Sequence, residues 1–165
     1  MLKTLKNYQI LDLMDGFKKI AEDGIKSNKR FSYALIMNEE NVQSNVKAIQ
    51  GIAKPSDNYM EYEQKRNNIL IEYGKSDASG NIILNENNGV VFKDEESEKN
   101  AIDEINKLNE EYLDILDERN EDIKQYNELL MTDVELNLIV VSLDDVPDEV
   151  GEDVFLMKAL IPMID

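Results

Sequence analysis

The chain contains no cysteine and no histidine. Without cysteine there is no disulfide, no thiolate metal site and no thiol nucleophile. Without histidine the usual proton-transfer group near neutral pH and the commonest transition-metal ligand are both missing. Catalytic arrangements of the Ser-His-Asp or Cys-His kind are therefore excluded. Tryptophan, a favoured interface anchor, is absent too. The seven glycines are scattered singly, so no phosphate-cradling or dinucleotide-binding glycine loop can be written. No apolar run approaches the roughly 18–20 residues of a membrane span; the longest are pieces such as Tyr33 to Met37 and Leu138 to Val141. The N-terminal stretch MLKTLKNYQILDLMDG lacks the continuous apolar segment and small-residue cleavage site of a signal peptide, so a soluble protein made and used in a cytoplasm, or in a particle assembled there, is expected.

What the chain does have is acid. Its 165 residues carry a net charge of −17, with 42% hydrophobic and 32% charged residues. That length suits one domain, and the composition points to a high ratio of surface to core. The charge is uneven. Residues 1–66 hold eleven Lys/Arg and nine Asp/Glu, whereas residues 67–165 hold seven and twenty-six, or +2 against −19. An acidic half repels nucleic-acid phosphates and attracts a basic protein surface. Solubility alone is the plainer reading of the same acids.

Along the chain, Ile10, Leu13, Met14, Phe17, Ile20 and Ala21 share a helical face, interrupted by Gly16, and Gly24 ends that helix. A second helix runs from Phe31 to about Ile52. Lys54-Pro55-Ser56-Asp57 breaks it, because proline cannot continue a helix, and Ser56 or Asp57 caps the next, which Gly74 closes. Ile82-Ile83-Leu84 and Val90-Val91-Phe92 flank the turn sequence Asn87-Asn88-Gly89 and predict a β-hairpin. Asp94 precedes Glu95, Glu96 and Glu98, a helix start with acids where the helix dipole favours them. Residues 95–130 contain neither proline nor glycine, and their narrow apolar stripe predicts one helix roughly 50 Å long. Val134 to Val141 is the strongest strand candidate, expected to pair with the hairpin. A last short helix is expected over 152–160, stopped by Pro162.

The fold expected is α+β and predominantly α: antiparallel helices, including the long one over about 95–130, with a small sheet built from the 82–92 hairpin and the 134–142 strand. The chain reads as a single domain, 1–165, with a candidate sub-boundary near 53–57 between an N-terminal helical part, 1–53, and a helix-hairpin-helix-strand part, 57–165.

Few constellations carry chemistry. Asp77-Ala78-Ser79-Gly80-Asn81 has its glycine fourth and Asn88 at position twelve, which is a hydrogen-bonded turn and not an EF-hand loop. The acids Asp144, Asp145, Asp148, Glu149, Glu152 and Asp153 have the hard oxygen ligands a divalent cation takes, but they read more simply as a solvated loop with helix-start acids. Lys65-Arg66 and the group Lys26, Lys29 and Arg30 are too small for a nucleic-acid patch. Tyr59, Tyr62, Tyr73, Tyr112 and Tyr126 fall on predicted helices, as interface anchors or, more commonly for such residues, as core boundary. No catalytic residue, metal ligand or cofactor is assigned.

One stretch has a familiar order: Glu72-Tyr73-Gly74-Lys75, Asp77 with Gly80-Asn81, Asn88-Gly89-Val90-Val91-Phe92-Lys93-Asp94-Glu95, a long acidic helix ending in Leu129-Leu130, then Val134-Glu135-Leu136. Residues 69–142 in this order resemble small uncharacterised accessory proteins of tailed bacteriophages, a family encoded near tail or lysis genes. Phe31-Ser32-Tyr33-Ala34 shares the resemblance more weakly, and the first 30 residues do not share it. The resemblance implies a phage setting, in the host cytoplasm or the virion, and brings no catalytic residue with it. The expected function is a non-enzymatic one through macromolecular contacts, as a virion or assembly component. The alternative is an acidic mimic of DNA that inhibits a host restriction or CRISPR nuclease. The candidate interaction surface comprises Glu104, Glu111, Asp114, Glu118, Glu121 and Asp122, on or near the outer face of the long helix, with Asp144, Asp145 and Asp148 in the acidic turn. A basic protein surface or a phage structural protein is the expected partner, with no direct binding of nucleic acid and no membrane; the seam over 102–130 also permits a homo-oligomer.

Overall fold

The computed structural model describes all 165 residues. It is predominantly helical with one small antiparallel sheet, the α+β class expected from the sequence. The elements are β1 (Leu2–Lys6), α1 (Asn7–Glu22), α2 (Lys29–Ala53), α3 (Asp57–Tyr73), α4 (Glu95–Glu111), α5 (Leu113–Leu130), β2 (Asp133–Asn137), α6 (Asp148–Glu152) and α7 (Val154–Leu160), with 3-10 turns at Leu143–Asp145 and Ile161–Met163. None of the helices is long and apolar enough to cross a membrane. The chain forms two compact units, one made of Met1–Lys54 with Ile123–Asp165 and the other of Pro55–Asp122.

The first unit holds the hydrophobic core. One face of α1 supplies Ile10, Leu13, Met14, Phe17 and Ile20, and α2 supplies Phe31, Ala34, Val42 and Val46. Leu136, Leu138, Val141, Val150, Leu156, Leu160 and Met163 from the C-terminal segment complete it. Asn28 caps α2, its side-chain oxygen accepting from the backbone N–H groups of Arg30 and Phe31 at 3.0 and 2.9 Å. That satisfies two of the orphan donors at the helix start. Gly16, which interrupts the apolar pattern of α1, packs against α7. A Cβ built there would lie 3.0 Å from the Cβ of Ala159.

Two expectations about the sheet and the long helix are corrected. The sheet is β1 against β2, in antiparallel register from Leu2 opposite Asn137 to Lys6 opposite Asp133, and the 82–92 hairpin has no part in it. The N-terminal Leu2–Lys6 is the strand that fills the place. Beyond Asn137 the segment expected to remain strand is satisfied singly: Ile139 bonds to the side chain of Asn38, and Val141 makes a parallel bridge with Ile164. Five residues of strand suffice because the remaining backbone groups find partners elsewhere. The helix over 95–130 is interrupted at Tyr112, whose backbone (φ −104°, ψ 18°) leaves the helical region. Helical hydrogen bonds resume on either side, Tyr112 N–H to Leu108 C=O and Leu116 N–H to Tyr112 C=O, so the break is one residue wide.

In the second unit α3 packs against α4, and the connection 74–94 folds on itself through single antiparallel bridges, Gly74 with Phe92, Ser76 with Ile82 and Leu84 with Val90. Asn88, at φ 59°, and Gly80, at φ 86°, take the left-handed conformation that the two turns need. Ser56 caps α3 and Asp94 caps α4.

Candidate functional site

The second unit is short of apolar core. Tyr62, Ala101 and Leu108 are its buried hydrophobic residues, and the seam between α3 and α4 is finished by aromatic and polar contacts. Tyr62 lies centrally. Its ring centroid is 5.8 Å from that of Tyr59 and 5.7 Å from that of Tyr112, and its hydroxyl donates to Asn109 Oδ1 at 2.8 Å. Such tilted aromatic pairs add to the stabilisation of simple burial. Lys65 Nζ donates to the Tyr112 hydroxyl at 2.7 Å, and that hydroxyl donates in turn to Glu61 at 2.9 Å. Lys65 also lies 3.1 Å from Glu61. The hydrogen bonds from Lys65 to Tyr112 and Glu61 hold its ammonium proton well above the ordinary lysine range. The same contacts keep the Glu61 carboxyl below its usual value. At the far end of the seam the Tyr73 hydroxyl donates to Glu104 at 2.7 Å, which pushes the phenol up to about 12. The tyrosines at 59, 62, 73 and 112 thus belong to the unit's own packing. Their spacing of three between 59 and 62 is the sequence signal for it, read there only as a choice between anchor and boundary.

The acids expected on an outer face divide. Glu104 is half-buried and faces α3 through Tyr73, and Glu111 is exposed but within 3.9 Å of Lys65. Both therefore serve the seam. Asp114, Glu118 and Glu121 are exposed, and Asp122 is half-buried. With Asp117, also exposed, the acids Asp114, Asp117, Glu118 and Glu121 fall at intervals of three, four and seven along α5, which is one helical face. Like charges four apart on a helix oppose its stability by roughly 0.2–0.5 kcal/mol per pair. Asp114 with Glu118 is such a pair.

Asp144, Asp145 and Asp148 belong to the first unit. Asp145 is half-buried, 3.2 Å from Arg30, and its backbone oxygen accepts from the Asn28 side chain at 3.0 Å. Asp144 lies in the 3-10 turn and Asp148 opens α6, both exposed. Asp153, from the same acidic stretch, caps α7 by accepting from Phe155 and Leu156 N–H, and those bonds, Leu156 first, keep its carboxyl below the usual range. No three acidic side chains anywhere in the chain converge as a metal-binding group.

Charge is concentrated in the second unit. Its 68 residues carry seven Lys/Arg and nineteen Asp/Glu, a net −12 of the chain's −17. The hollow along the α3–α4 seam is lined by Lys65, Glu104, Lys107 and Glu111 among others, and Lys65 and Glu104 are already committed to Tyr112 and Tyr73.

Compared with protein-family models, curated proteins and solved structures, the chain matches none.

Proposed function

We propose that this protein acts without catalysis, by presenting the acidic second unit to a basic surface of another macromolecule. We place it in a tailed bacteriophage, as a virion or assembly component working in the host cytoplasm or the particle. The phage setting rests on the resemblance of residues 69–142. The mode of action rests on one observation: Asp114, Asp117 and Glu118 lie exposed on one face of α5, where Asp114 and Glu118, four residues apart, repel each other. On α1, by contrast, Lys18 pairs with Asp15 and Lys19 with Asp23. A self-repelling face is relieved when a basic partner covers it.

The test is capture from phage-infected cells with the full chain, read by mass spectrometry at low and high salt. A basic protein should be retained at low salt and lost at high salt, because exposed charge pairing is screened. Mass spectrometry of purified particles then tests the virion role, and absence from particles would remove it. The series of exposed carboxylates also favours a second reading, mimicry of a phosphate backbone against a host restriction or CRISPR nuclease. In that case the captured protein is a nuclease and duplex DNA displaces the chain from it.

A further inference from the structure

In the second unit the connection 74–94 holds the chain's one Asn-Gly pair, Asn88-Gly89, at its second turn. Asn88 is exposed, and its φ of 59° lies in the left-handed region. Four hydrogen bonds tie this turn to Asn85. Asn85 N–H donates to the Gly89 carbonyl at 2.8 Å, and Asn88 N–H donates to the Asn85 carbonyl at 3.0 Å. The side-chain Oδ1 of Asn85 accepts from Asn87 N–H and from Gly89 N–H, both at 2.9 Å. A Cβ on Gly89 would meet Asn85 Nδ2 at 3.0 Å and Oδ1 at 3.3 Å, so a larger residue there would displace the Asn85 side chain. The glycine that suits this packing also leaves its own nitrogen unshielded beside the Asn88 side chain.

We propose that Asn88 is a site of spontaneous deamidation and that the Asn85 side chain sets its rate. Hydroxide removes the Gly89 amide proton, and the nitrogen attacks Cγ of Asn88. A C–N bond forms and closes a five-membered succinimide. The Cγ–Nδ2 bond breaks, and Nδ2 takes a proton from water and leaves as ammonia, which regenerates the hydroxide. Water then opens the ring at either carbonyl. One product is aspartate; the other is isoaspartate, with the main chain routed through Cβ. Either adds a carboxylate to a unit that already carries a net −12. Asn85 opposes the first step in two ways. The Gly89 proton is engaged at Oδ1, and a hydrogen-bonded amide proton is reached by hydroxide only when the structure opens locally. The bonds that hold Asn88 and Gly89 in the turn must also be released before the ring can close. The reaction therefore proceeds from the opened turn, and its rate follows that opening.

Peptide mapping by mass spectrometry, over a time course of the full chain at mildly alkaline pH, tests this. In the chain unfolded by guanidinium, residue 88 is expected to convert first among the asparagines. In the native chain the same conversion is expected to be slower. Asn85→Ala removes both bonds to Oδ1 and should speed native-state conversion by about fivefold or more, the effect of losing two hydrogen bonds on the opening of the turn. Asn85→Asp keeps an acceptor for both N–H groups and should keep the slow rate. Equal rates in the native and unfolded wild type overturn the proposal. So does faster conversion of another asparagine in the unfolded chain, or none at residue 88 there. An Asn85→Ala chain that circular dichroism shows folded and that converts no faster than the wild type overturns the role of Asn85. If that variant unfolds, an Asn85→Asp chain that converts as fast as the unfolded wild type does the same.

Discussion

The side-chain amide of Asn38 and the backbone of Ile139 form a reciprocal pair of hydrogen bonds, each 2.8 Å long, across 101 residues of sequence. Asn38 is fully buried in the middle of α2. Its amide stands where a neighbouring strand would stand, and so the backbone at Ile139 stays extended after β2 has ended. An asparagine side chain matches this task because it carries a donor and an acceptor in one plane.

Replacing that asparagine tests the clamp. Asn38→Leu keeps the branched outline of the side chain but leaves the part-buried N–H and C=O of Ile139 without partners, at up to about 1–3 kcal/mol per group. Urea unfolding should therefore show a loss of several kcal/mol with an unchanged slope. Asn38→Asp should be worse at neutral pH, because a carboxylate would face the Ile139 carbonyl in a buried place, and should partly recover as acid protonates it.

A second prediction concerns Gly16. Ala159 lies 3.0 Å from the position of its missing Cβ, and the Leu160 side chain lies 3.4 Å from it. Gly16→Val must push α7 away from α1 and should lower stability by about 1–3 kcal/mol, the usual cost of overpacking. A valine variant as stable as the wild type would show that α7 is held loosely.

The Tyr73–Glu104 bond gives a prediction in alkali. The phenol is pushed up to about 12 from an ordinary value near 10.0, chiefly by the hydrogen bond to Glu104. A proton held more tightly in the folded state stabilises the fold fully below the unfolded value and ceases to do so as pH rises through the folded one. The contribution is thus present below pH 10.0 and lost toward about 12. In Tyr73→Phe the decline in melting temperature over that interval should be shallower. Subtracting the variant's phenolate absorbance titration from that of the wild type should isolate one late-titrating tyrosine.

Much of this architecture is legible in the sequence where local chemistry decides it. Ser56 and Asp94 cap helices, Pro55 separates α2 from α3, and the apolar face of α1 is the face that is buried. Misreadings arise where a distant residue decides. Leu2–Lys6 has too little alternation to announce a strand and becomes one because β2 lies beside it. Val134 to Val141 announces more strand than there is, because Asn38 and Ile164 replace a strand partner. Tyr112 fits a helical pattern, yet its side chain is engaged by Tyr62, Lys65 and Glu61 where the helix breaks. Of the acids, charge and spacing mark them all alike. The sequence cannot show that Glu104 turns inward to Tyr73 while Asp114 and Glu118 remain exposed.

The acidic face of α5 offers the most direct test of the function proposed here. Asp114→Asn, Asp117→Asn and Glu118→Gln, made together, remove three exposed charges without changing shape. Relief of the like-charge pair Asp114–Glu118 should raise stability by a few tenths of a kcal/mol, at roughly 0.2–0.5 per pair. The deciding measurement is the affinity of this triple variant and of the wild type for the captured partner, each across a salt series. The triple variant is expected to melt no lower than the wild type, to bind at least about tenfold more weakly at low salt and to show a flatter salt dependence. Equal affinity and equal salt dependence in the two proteins would contradict it.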